Sequence, residues 1–299
     1  MTPSCLSQSI EPFLRQMAAD GRTASSIRSY RRELLLLAQA VGDVSLKSLT
    51  PDRLNSYLTS SRIQLKVDGT PKQASTVNRV KSVIRAFARW CQQAGLTEHN
   101  PAAHVRLAVT AAPITPYMTR VELNRFLGMM RRSRHPLALR DYALFATLAY
   151  TGIRLSDVIR LKPSDVDLLQ GQLLLRQTKG GRREARHMPA RLRPVLSLYI
   201  RRGQPKGGSN GEAVFVTRHG RPLSPREVQY RFALWLRRAQ IRESLSVHSL
   251  RHTFGTLLYQ ATKDLLLVSR ALGHRDVKST LRYAHLGDQV LAKAVNRMW

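Results

Sequence analysis

In "STVNRVKSVIRAFARWCQQAG", Ser75 to Gly95, apolar side chains recur every three or four residues: Val77, Val80, Ile84, Phe87, Ala88 and Cys91. That period is the helical one, so the segment predicts an amphipathic helix with one face in a core and Gly95 at its C-terminal end. An earlier segment, "TASSIRSYRRELLLLAQAV", repeats the pattern, with Thr23 placed to cap the N-terminus and Ile27, Tyr30, Leu34 and Leu37 on the apolar face. The first third of the chain, residues 1–105, is therefore expected as a helical domain. The periodicity lapses in "RLAVTAAPITPYM", which carries two prolines and reads as a linker over residues 106–118.

A second domain is expected over residues 119–299. "TRVE", Thr119 to Glu122, fits a capping box ahead of a helical pattern, and helix continues through "LRDYALFATLAYTG". "GQLLLRQTKGGRREARHMP" predicts a β-hairpin, with Pro189 ending the return strand. "SPRE", Ser224 to Glu227, is another capping box and opens a helix carrying Val228, Phe232, Trp235 and Leu236. "VHSLRHTFGTLL" follows, apolar through Leu250, Phe254, Leu257 and Leu258, yet with His248 and Arg251 three residues apart on one face. Near the C-terminus Val290, Leu291, Ala294, Val295 and Met298 make one apolar helical stripe that ends at Trp299. The fold class is mainly α (α+β), with a small antiparallel sheet.

Charge narrows the partner. The 299 residues include 49 Lys and Arg against 19 Asp and Glu, a formal net charge of +30, which implies a polyanion. Up to residue 110 there are 15 basic and 7 acidic residues, and beyond it 34 and 12, so both domains are basic. Arg28, Arg31 and Arg32 lie off the apolar face of their helix, and Lys81, Arg85 and Arg89 form a stripe at spacing four. Like charges so placed weaken an isolated helix, and a phosphate backbone alongside explains them better than an ordinary solvated face does. Cys5 and Cys91 have no metal spacing and suggest a reducing compartment. No run is long and apolar enough to span a membrane, and the N-terminus lacks the blocks of a signal peptide, so a cytoplasmic protein is expected.

Several polar residues of the second domain remain. Arg154 follows a turn glycine in "TGIRLSDVIRL", within a helix turn of Asp157, which is expected to fix its guanidinium. Lys179 is the lysine of the hairpin, at its turn; His274 stands in "ALGHRD" and Tyr283 in "STLRYAHL". Singly, each has an ordinary structural reading. As an ordered set, Arg154, Lys179, "HSLR", "LGH" and Tyr283 resemble the active-site signature of the tyrosine recombinases, the phage integrase family. The resemblance covers nearly the whole chain, its helical first part being similar to the family's core-binding domain, and in size it is most like the Xer-type bacterial recombinases and compact mobile-element resolvases. Ala271 and Ser279 depart from the residues usual at their positions but replace no catalytic group.

The resemblance implies DNA cleavage and rejoining without ATP or a metal, through a 3′-phosphotyrosyl link at Tyr283. A phosphodiester under attack gathers charge on its non-bridging oxygens, and the bidentate guanidinia of Arg154 and Arg251 suit that charge. By the same resemblance Lys179 would protonate the leaving 5′ oxygen, His248 would assist proton transfer at the tyrosine, and His274 would hydrogen-bond the phosphate. No cofactor is expected. The implied partners are double-stranded DNA with an inverted-repeat core site and three further protomers, in a homotetramer with a dimer per site or a heterotetramer with a related recombinase. The C-terminal segment from Gly287 to Trp299 would serve as the oligomerisation helix, strand exchange would pass through a Holliday junction, and the setting would be the bacterial nucleoid. A type IB topoisomerase-like relaxase uses much the same constellation, and a DNA-binding protein without chemistry is a further alternative. The short helical first domain and the compact length favour the recombinase.

Overall fold

In the computed structural model, which describes residues 5–110, 115–176, 184–203, 213–242 and 244–273, the chain divides into two units, Met1–Pro113 and Ile114–Trp299. The first unit contains α1 (Leu6–Ala19), α2 (Ala24–Val41), α3 (Pro51–Thr59), α4 (Ser61–Gln64) and α5 (Ala74–Gln93). The Thr23 hydroxyl accepts the Ser26 N–H at 3.2 Å and caps α2, while Gly95 lies one residue beyond the cap of α5. The apolar faces meet as their periodicity requires, with Leu34, Leu37 and Phe87 wholly buried. Phe13 of α1 packs against Phe87 and Trp90, each 5.5 Å away between ring centroids, and each buried ring or aliphatic side chain contributes roughly 1.5–3 kcal/mol. Cys91 lies in this core, where burial pushes its thiol pKa up to about 12.

The stretch expected as a linker is tied down at both ends. The Asn78 carboxamide on α5 accepts the Ala108 N–H at 2.9 Å and donates to the Ala108 carbonyl at 2.8 Å. In the second unit Met118 is fully buried, and its N–H donates to the Thr253 hydroxyl at 2.9 Å.

The second unit contains α6 (Arg120–Arg132), α7 (Ala138–Thr151), α8 (Leu155–Ile159), β1 (Val166–Asp167), β2 (Gln172–Leu175), β3 (Glu184–His187), α9 (Arg193–Leu198), α10 (Pro225–Arg238), α11 (Val247–Thr262) and α12 (Leu265–Leu272). Both expected capping boxes form, at Thr119/Glu122 and Ser224/Glu227. The strands make one antiparallel sheet in the order β1-β2-β3, with Leu173 opposite Arg186 and Leu175 opposite Glu184. Phe126, Phe145 and Phe232 join α6, α7 and α10 with ring centroids 5.2 to 5.6 Å apart. The hairpin connection at 177–183 and the C-terminal stripe lie outside the described residues, among which no helix is long and apolar enough to cross a membrane.

One polar cluster sits within this core. Asp141 of α7 has no solvent exposure, yet its carboxylate accepts hydrogen bonds from Arg140 Nε and Nη2 (3.0 and 2.7 Å), from Arg231 Nε (2.7 Å) and from Trp235 Nε1 (2.7 Å). Arg231 and Trp235 belong to α10, so the carboxylate joins the two helices. Removing it would leave two buried guanidinia uncompensated, which costs far more than the net worth of the pair. Asp141→Ala should therefore lower the unfolding free energy by about 3–5 kcal/mol in a urea titration. A loss below about 1 kcal/mol, the range of an exposed ion pair, would show that the network carries no such weight.

Arginines at one helix end, the candidate active site

Helix α12 ends at Leu272, and the carbonyls of its last turn have no partner within the helix. Guanidinia from two other elements take two of them, and a third takes the carbonyl of the cap residue Gly273. Arg186 of β3 donates from Nη1 to the Arg270 carbonyl at 3.0 Å; Arg251 of α11 donates from Nη2 to the Leu272 carbonyl at 2.5 Å; Arg154, the N-cap residue of α8, donates from Nη2 to the Gly273 carbonyl at 3.3 Å. The negative end of the helix dipole favours cations there.

Arg251 is 5% exposed and also donates from Nη1 to the Gly152 carbonyl at 2.5 Å, which joins the end of α7 to the same point. Gly152 caps α7 in the left-handed region, φ +63°, and a Cβ there would overlap the Phe254 ring of α11, so no larger residue fits. His248, one turn before Arg251, is exposed, and its ring meets His252 edge-on at 4.7 Å between centroids. The pair that opens α11 thus divides its surroundings: the arginine is held within the fold and the histidine faces outward.

Asp157 does not hold Arg154 as the sequence led us to expect. Its Oδ1 accepts from Arg160 Nη2 at 3.2 Å and from the Ser156 hydroxyl at 3.3 Å, because Arg160 lies one turn along the helix while Arg154 turns toward Gly273. Asp157 Oδ2 is buried with no hydrogen-bond partner among the described residues. Sequence reasoning also missed Arg186, which is 8% exposed and donates from Nη2 to Glu184 Oε1 at 2.8 Å. Burial lowers its pKa below the usual arginine value, the Glu184 carboxylate opposes that shift, and the charge on Arg154 adds to it. The only hint in the sequence is alternation along β3, where Arg186 shares the core-facing register of Leu173. Lys179, His274 and Tyr283 lie outside the described residues. Among those described, no group of three or more His, Cys, Asp or Glu side chains is arranged to hold a metal ion.

In the first unit the basic residues separate into two sets. Arg31 pairs with Glu11 of α1 at 2.7 Å, Arg32 pairs with the buried Glu33 at 2.7 Å, and Lys81 donates to the Arg106 carbonyl at 3.1 Å. Arg79, not singled out from the sequence, is the second partner of Glu33, at 2.8 Å. The side chains of Arg28, Arg85 and Arg89 make no hydrogen bond or ion pair among the described residues.

Comparison with known proteins covers most of the chain. Residues 116–289 match the phage integrase family and residues 10–95 match the phage integrase N-terminal SAM-like domain. Tyrosine recombinase XerC of Chromobacterium violaceum is 30% identical over 294 residues, covering 96% of this chain and 93% of the relative. The XerC of Alcanivorax borkumensis is 29% identical over 291 residues, covering 96% and 92%. Tyrosine recombinase XerD of Ralstonia nicotianae is 28% identical over 276 residues, covering 91% and 87%. Among solved structures, the Tn1549 transposon integrase in complex with a circular intermediate DNA has a TM-score of 0.77 at 17% identity, over 99% of this chain and all of that one. The XerH site-specific recombinase bound to palindromic difH substrate, in a post-cleavage complex, has a TM-score of 0.73 at 22% identity, over 97% and 84%. With the family match spanning more than half of its length and its arginines gathered at one helix end, the chain belongs to the phage integrase family.

Proposed function

We propose that this protein is a site-specific DNA recombinase that cuts and rejoins strands by way of a phosphotyrosine. The observation that carries this reading is the placement of Arg154 and Arg251, 97 positions apart in sequence, on the adjacent carbonyls Gly273 and Leu272. His274 is the next residue in the chain. A scissile phosphate beside that helix end would meet two guanidinia, each able to span two oxygens, where charge gathers in the transition state. The Tyr283 oxygen attacks phosphorus, the Tyr–O–P bond forms as the bond to the 5′ oxygen breaks, and the strand leaves as a 5′ hydroxyl. His248 receives the tyrosine proton and Lys179 supplies the proton to the leaving oxygen. The phosphodiester energy stays in the covalent link, so attack by the 5′ hydroxyl of a partner strand reseals the backbone without ATP.

The names of the curated relatives and the DNA in the solved complexes support the DNA substrate. The finer reading is an inverted-repeat site bound by two protomers and a tetramer formed on two sites, passing through a Holliday junction. Residues 1–105 form the core-binding domain and 119–299 the catalytic domain, and the apolar stripe between Gly287 and Trp299 docks on a neighbouring protomer, of this chain or of a related recombinase. Such an enzyme works in the bacterial cytoplasm, on the nucleoid.

Tyr283→Phe should bind its site and form no covalent adduct with a nicked suicide substrate on a denaturing gel. An adduct from that variant would assign the nucleophile to another residue. Lys179→Ala should cleave an ordinary phosphodiester poorly and recover on a substrate with sulfur at the 5′-bridging position, because a thiolate leaves without a proton. Failure of sulfur to restore cleavage would remove the lysine from the general-acid role. Replacing Arg85 and Arg89 by alanine should weaken DNA binding and flatten the plot of log affinity against log salt by about one unit per lost phosphate contact. An unchanged slope would leave these residues as ordinary solvated side chains.

A further inference from the structure

An arginine on the core-facing side of a strand is costly, since desolvating a guanidinium takes several kcal/mol that its contacts must offset. Arg186 occupies such a place, opposite Leu173, in the second unit. Its Nη1 holds the Arg270 carbonyl and its Nη2 holds Glu184, while Nε has no partner among the described residues. The contact that matters lies just beyond the helix. Gly273, at φ +61°, rests directly on this pair: a Cβ there would overlap Arg186 Nη2 and approach Glu184 Oε2 to 3.0 Å. The Gly273 carbonyl receives Arg154, and Arg154 has no other described hydrogen bond. The Arg186–Glu184 pair is therefore a floor on which the backbone at Gly273 rests, and the carbonyl of that same residue anchors Arg154.

The geometry points to Arg186 as a positioning residue that sets the place of Arg154 by supporting the turn at Gly273. The inference rests on the proposed reading that Arg154 meets the scissile phosphate. Arg186 touches no reacting atom. Its loss lets the turn settle and moves the carbonyl that orients Arg154, and a displacement of about 1 Å in such a group costs on the order of 10²-fold in rate. Glu184 keeps the support nearly neutral, which limits repulsion between the two guanidinia.

The test uses the full-length protein, a half-site substrate and two altered phosphates. Arg186→Met and Arg186→Lys should bind the half-site as wild type does and cleave the ordinary phosphodiester roughly 10- to 100-fold more slowly. On a methylphosphonate at the scissile position, which carries no charge for Arg154 to meet, the deficit relative to wild type should shrink to within a few-fold. A deficit equal on both substrates would make Arg186 merely structural and overturn the inference. Recovery on the 5′-bridging sulfur substrate instead would route its effect through the leaving-group proton and overturn it too. Should Arg186→Met fail to fold by circular dichroism, Glu184→Gln, a third exposed and isosteric, carries the same comparison. Wild-type protein that formed no adduct with any phosphodiester would refute the recombinase reading itself, and the positioning role with it; wild-type cleavage with unselective variants would sink the positioning role alone.

Discussion

A guanidinium removed from water must find acceptors, and for Arg251 the two that fix its place are carbonyls at the ends of two other helices. Gly152 closes α7 and Leu272 closes α12, so one side chain on α11 fixes three helices at a single point. A buried charge left without partners costs several kcal/mol, so the ends cannot drift apart cheaply. The αL turn at Gly152 and the Phe254 ring pressed on it belong to the same constraint, because that close approach brings the Gly152 carbonyl within reach of Arg251.

Electrostatic catalysis depends on donors whose positions are set before charge develops. Arginine suits this because its five N–H groups can be divided: some hold the protein and the rest point outward. Arg154 commits one N–H to the Gly273 carbonyl among its described contacts, which leaves most of its fork for a phosphate under the proposed reading. A lysine, with a single rotatable point charge, has no rigid fork to divide in this way.

Local signals were legible in the sequence, and long-range ones were not. Both capping boxes, the Thr23 cap, the buried faces of α2, α5 and α10, and the two strands of the hairpin depend on residues a few positions apart, and their periods survive in the fold. Arg154 and Asp157 are also close in sequence, but proximity misled: the aspartate takes Arg160, and the anchor of Arg154 lies 119 positions away. The same distance hid Asp141, whose α10 partners are 90 and 94 residues on, and Arg186, which stands in a run of basic residues that looks solvated from composition alone. In the first unit the stripe on α5 was visible as charge, yet only the fold separates Arg85 and Arg89 from Lys81, whose ammonium is already bound to a carbonyl.

The burial of Cys91 has a practical side. With its thiol pKa pushed up to about 12 and its side chain 2% exposed, it stays protonated and shielded at neutral pH, whereas Cys5 is partly exposed. These are the two cysteines of the chain. A maleimide dye under native conditions will therefore enter at the N-terminal end alone. That gives a uniformly labelled population for fluorescence work on single DNA molecules, with no cysteine to remove by mutation.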